Sequence, residues 1–142
     1  MGKMFKLCAA LAIILCASAA AFAENYVEMD RSGTNVIYID TDSIVDEGSY
    51  IIANTKVDIR TKEARDKFKE RSGVDAHCLF LTFAYNKDAK QDQFLSARSV
   101  YSIDETGSQS REFSEKHWRD IPQHSLGEKV YDWIINYAAE QN

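Results

Sequence analysis

From residue 25 onward, most apolar positions recur every second residue, and the period changes near the end of the chain. Asn25 to Met29 is a short candidate strand, followed by a turn at Ser32-Gly33-Thr34-Asn35. Val36 to Ile39 is β-branched and aromatic. It runs into Asp40-Thr41-Asp42-Ser43, side chains that end strands by bonding nearby backbone amides. Asp46-Glu47-Gly48-Ser49 predicts a hairpin turn into Tyr50 to Ile59. There Ile51, Ala53, Val57 and Ile59 share one face, and Tyr50, Ile52, Asn54, Lys56 and Asp58 share the other. Ala76 to Tyr85 is the most apolar segment, with Leu79, Leu81 and Phe83 opposite Cys78, Phe80 and Ala84, so cover on both faces is expected. After a polar loop at Asn86 to Asp92, Phe94 to Ile103 alternates again. Asp104-Glu105-Thr106-Gly107 is a compact turn, and the chain returns through Arg111 to Trp118.

Two segments follow a different period. Arg60 to Ser72 is rich in Lys, Arg, Glu and Asp, with Ala64 and Phe68 four apart, and reads as a short surface helix or excursion. Ser125-Leu126-Gly127-Glu128 fits a capping box, in which Ser and Glu satisfy free amides of a first helical turn. Behind it Leu126, Val130, Trp133, Ile134, Tyr137 and Ala138 form one stripe at helical spacing. The expected fold is α+β: an antiparallel meander of about six strands with a C-terminal helix packed on one face.

The N-terminus stands apart. Lys3 and Lys6 precede the apolar run Leu7 to Leu15, and small residues follow, ending in Ala21-Phe22-Ala23. This is the layout of an export signal, and the run is shorter than the roughly 20 residues a membrane span needs. The expected division is a cleaved signal peptide at 1–23 and one domain at 24–142, with no transmembrane anchor. Leu15 before Cys16 is bulkier than lipoprotein cleavage tolerates, so no lipid anchor is expected. Cleavage leaves 119 of the 142 residues. It removes two of 17 Lys and Arg and none of 22 acids, moving the net charge from −5 to −7. Such a surface is a poor match for nucleic acid or anionic lipid. Cys8 and Cys16 leave with the signal, so Cys78 is either a buried small hydrophobe or a bridge between two chains. A meander also leaves sheet edges on which a homodimer can pair.

The search for chemistry yields little. The chain has no phosphate-binding glycine loop, paired-Cys motif or His-Glu-x-x-His. His117, Asp120 and His124 lie close in sequence around Pro122, where exposed polar loop residues are the simpler reading. His77 and Cys78, as strand neighbours, point to opposite faces. Ser125 is explained as a helix cap, and Asp40 with Asp42 as strand-end caps. No catalytic residue, cofactor or metal is expected, and the chain is read as a non-enzyme. Candidate partner contacts are Tyr50, Lys56 and Arg98 on the sheet face turned away from the helix; ordinary cross-strand pairing also accounts for them.

Over most of residues 26–137 the chain resembles the bacterial surface-adhesin protein E-like domains. The resemblance is carried by Val36-Ile37-Tyr38-Ile39-Asp40, Ser43-Ile44, the Asp46-Glu47-Gly48 turn, Asp75-Ala76-His77-Cys78, and Trp118-Arg119-Asp120-Ile121-Pro122-Gln123-His124-Ser125. Relatives carry a second Cys near the last helix and a lipobox, and this chain has neither. The resemblance implies a Gram-negative-type exported protein, at the outer cell surface or in the periplasm, that binds host extracellular-matrix or serum proteins. The competing expectation is a periplasmic module binding a ligand or partner of the cell envelope.

Overall fold

The computed structural model describes residues 25–100, 108–112 and 117–142. The signal segment, the turn at 104–107 and part of the return strand 111–118 lie outside the described residues. The chain forms β1 (Tyr26–Arg31), β2 (Asn35–Asp46), β3 (Tyr50–Ile59), α1 (Lys62–Ser72), β4 (Cys78–Asn86), β5 (Gln91–Val100), β6 (Ser108–Glu112), β7 (Arg119–Asp120) and α2 (Leu126–Glu140). All strands join one antiparallel sheet in the order β1 to β6, and the short β7 pairs with the start of β5. This is the expected meander closed by a helix.

Alternation sets the two faces. Ile51, Ala53, Thr55 and Val57 of β3 stand opposite Tyr85, Phe83, Leu81 and Leu79 of β4, so all share one face. α2 covers this face near β1 to β3. Val130, Tyr131, Ile134 and Ala138 bury against Met29, Ile39, Ile51, Ala53 and Tyr85, with Ile121 closing one end. Ile39, Ile51 and Ile134 are completely buried. Each such side chain contributes about 1.5–3 kcal/mol of transfer free energy.

The start of α2 departs from the expected box by one residue. Ser125 Oγ accepts the Glu128 amide at 3.1 Å, but Glu128 Oε1 accepts from the amide of His124, not Ser125. His124 takes a left-handed φ of 58° to make this reach. The stripe is also rotated from expectation. Tyr131 is buried, with its hydroxyl donating to the Asn86 carbonyl at 2.6 Å, whereas Leu126 is exposed.

α1 sits on the same face at the other end of the sheet. Thr61 Oγ1 accepts the Ala64 amide at its start, and Gly73, at φ 73°, ends it by donating to the Lys69 carbonyl. Its Lys62–Asp66 and Glu63–Lys67 pairs are solvent-facing, and none of its residues is buried.

β2 corrects the expected strand end at Asp40. The chain stays extended to Asp46, and an irregularity between Asp40 and Val45 absorbs the extra residues. The capping bonds do form: Asp40 Oδ1 accepts the Asp42 amide, and Ser43 Oγ donates to the Asp40 carbonyl. Ser43 Oγ then accepts the Asn54 amide from β3, so the distortion is tied into the sheet and does not end it. Cys78 is buried at 5% exposure, the small-hydrophobe alternative. Cover on both faces of β4 holds only in part: Leu79, Leu81 and Phe83 on the helix side and Phe80 and Thr82 on the other are all half-buried.

Candidate functional site

Both helices lie on one face, so the other is the place to look for a partner. Strand register arranges its side chains in rows. Tyr38 of β2 stands opposite Lys56 of β3, Lys56 opposite Phe80 of β4, and Phe80 opposite Arg98 of β5. Neighbouring strands are about 4.8 Å apart, so the row crosses four strands as one band. Lys56 Nζ lies 5.2 Å from the ring centre of Tyr26 and 5.7 Å from that of Phe80. The Arg98 guanidinium lies 4.2 Å from the same Phe80 centre, and Tyr26 and Tyr38 are 6.0 Å apart. Cations over ring faces are attracted by the ring quadrupole, by about 0.5–1 kcal/mol at exposed sites.

The two cations are not equivalent. Lys56 is 17% exposed and also approaches Asp58 at 3.7 Å. Arg98 stacks on Phe80 and makes no ion pair with a carboxylate among the described residues. The guanidinium is thereby placed over the Phe80 ring. The next row is polar: Asp40, Asn54, Thr82 and Ser96 stand side by side, with Thr82 Oγ1 donating to Asn54 Oδ1 at 2.8 Å.

Beyond that row the face becomes concave. Tyr50 belongs here, six residues and about 20 Å along β3 from Lys56. Its ring meets Trp118 edge-on, with centres 6.2 Å apart. The pair walls an open groove of about 650 Å³, with Ile52, Ala84 and Leu95 beneath and Asn86, Asp88 and Gln93 around it. A bulge makes this shape: β4–β5 register shifts between Thr82 and Phe83, leaving Leu95 as the extra residue. β7 places the tryptophan. Arg119 donates to Asp92 at 3.0 Å and Gln91 to Asp120 at 2.9 Å, and Trp118 immediately precedes this pairing.

The structure therefore places Tyr50, Lys56 and Arg98 on the helix-free face but divides them between two regions. Phe80 and Trp118 were not among the sequence candidates. Phe80 could have been found, since it shares its alternation with Cys78 and Ala84. Trp118 could not, because its meeting with Tyr50 depends on β7 folding back onto β5.

The other sequence candidates do not come together. Asp120 accepts from Gln91, and His124 lies beside α2 in a shallow hollow with Asp30 and Glu128. Among the described residues no three metal-capable side chains converge, and no helix is long and apolar enough to cross a membrane. A second cavity, of about 450 Å³, lies under α1 between Phe68, Val57 and Leu79.

No family model matches the chain. No curated protein sequence matches it either. Two solved structures of Haemophilus influenzae protein E share its fold. The first, from a second crystal form, has a TM-score of 0.54 and 11% identity, covering 82% of this chain and 98% of that one. The other has the same TM-score and 10% identity, covering 82% and 95%. At such identity the likeness is one of fold.

Proposed function

We propose that this chain is an exported, non-catalytic binding protein of the bacterial envelope that works as an adhesin, docking a host matrix or serum protein on its helix-free sheet face. The observation that carries the reading is the Tyr38–Lys56–Phe80–Arg98 row. It is a band of rings with two cations lying over them, on the face that neither helix covers. Aromatic residues and arginine are the side chains that dominate protein interfaces. The shared fold with protein E supports the adhesin reading as an analogy of architecture.

Protease shaving of intact cells, with a periplasmic protein as control, tests the location. Loss of the protein while the control survives supports surface display. Survival until the outer membrane is broken overturns the adhesin reading and directs the same face to a partner inside the envelope. Capture on immobilised matrix and serum proteins tests the face. Arg98→Ala is expected to weaken capture roughly tenfold, as for an interface arginine, with circular dichroism unchanged. Undiminished capture by Arg98→Ala and Lys56→Ala removes the row from the site.

A further inference from the structure

The groove between Tyr50 and Trp118 has the makings of a second, separate site. Trp118 is 37% exposed, although a ring of its size is ordinarily well buried. It is also held in place, because the β7–β5 pairing and the edge contact with Tyr50 fix it from two sides. The floor beneath is apolar, with Ile52 and Leu95 half-buried.

The polar groups around the rings differ in whether the fold uses them. Asn86 is occupied, since its Oδ1 accepts the amides of Asp88 and Ala89 and its Nδ2 donates to Gln91. Gln93, Asp88, Ser49 and the Tyr50 hydroxyl line the groove with no side-chain hydrogen bond among the described residues. Together they offer an amide, a carboxylate and two hydroxyls, hence both donors and acceptors, next to two aromatic rings. Among the described residues no Lys or Arg lines the groove.

We propose that this groove binds a neutral saccharide of one or two hexose-type units. Sugars present a face of C–H groups, weakly positive, which packs on the negative face of an aromatic ring. They also carry hydroxyls around the rim that both donate and accept. The Asp88 carboxylate in the lining disfavours acidic sugars and phosphates by like-charge repulsion. A quaternary ammonium would use the rings and Asp88 but nothing of Gln93 or Ser49. The volume of about 650 Å³ is in the range of small-molecule clefts. This site does not depend on the protein-docking row.

The chain holds two tryptophans, so Trp133→Phe leaves Trp118 as the sole indole fluorophore. That variant is titrated with maltose, lactose, cellobiose, N,N′-diacetylchitobiose and choline at millimolar concentrations. A saturable change in emission with at least one disaccharide is expected, and none with choline. Calorimetry with the responding sugar then compares the protein with Trp118→Ala and Gln93→Ala. Roughly tenfold weaker binding is expected for the first and a severalfold loss for the second, each with an unchanged amide NMR spectrum away from the groove. If Trp118→Ala does not fold, Gln93→Ala decides alone. No saturable response to any disaccharide, a response to choline only, or sugar binding undiminished in the folded variants overturns the proposal.

Discussion

Tyr85 places a phenol in the core at 4% exposure, against Ile51 on the neighbouring strand and 6.3 Å from the ring of Tyr131. Burial raises its pKa well above the ordinary 10.0, and the hydrogen bond with Thr55 opposes that only in part. The sign of the consequence follows from which state holds the proton. Below pH 10 the phenol is neutral folded and unfolded, and its contribution to stability is fully present. Above pH 10 the unfolded chain loses the proton while the folded chain keeps it, so stability falls as pH rises. Urea midpoints at about pH 8 and about pH 10.5 are expected to differ, and Tyr85→Phe should reduce that difference, because one phenol that titrates only on unfolding is gone. Near neutrality the substitution keeps the ring and its apolar contacts, so its own cost is expected to stay within about 1 kcal/mol. An equal pH difference in both proteins would show that Tyr85 is not held as described.

At the scale of elements, the two helices lie on one face but are held very differently. α2 buries four side chains and anchors Tyr131 to the Asn86 carbonyl, while α1 buries none and stands on its caps, the Arg65 bonds to the Ile59 and Arg60 carbonyls, and solvent-facing ion pairs. Exposed pairs of this kind contribute a few tenths of a kcal/mol. Hydrogen exchange should therefore open α1 well before α2 or β3, with α2 exchanging only as the sheet itself opens. Equal protection of the two helices, read by mass spectrometry, would contradict this account. The same contrast decides what could be read from the residues alone. α2 was legible because a cap and an apolar stripe agree; α1 was legible only as a helix or an excursion, because its charges leave just Ala64 and Phe68 to pack toward the sheet. The end of β2 was not legible: Asp40 and Ser43 make the bonds of strand-end caps, and whether the chain stops or bulges there depends on Asn54 in β3 accepting the distortion. Face assignments for Tyr50, Lys56 and Arg98 followed from alternation. Their division into a row and a groove did not, because it needs the β4–β5 bulge and β7, which are matters of register between strands distant in sequence.

For the molecule as a whole, both helices lie on one side, and the two regions described on the opposite face differ in chemistry. The row combines rings with fixed cations, whereas the groove combines rings with uncharged hydrogen-bonding groups and one carboxylate. The polar row Asp40–Asn54–Thr82–Ser96 lies between them and shares no side chain with either. Sites separated by about 20 Å along a strand, with no common partner, are expected to act independently, because coupling requires contact or a shared network. Trp118→Ala should leave capture of a matrix or serum protein unchanged, and Arg98→Ala should leave sugar affinity unchanged. In the double variant each assay should show the same loss as its own single variant, both measured on one preparation. Should the responding sugar compete with the protein partner, or Trp118→Ala weaken capture as strongly as Arg98→Ala does, the face is one extended site. The row and the groove would then be its two ends, covered by a glycosylated partner large enough to reach both.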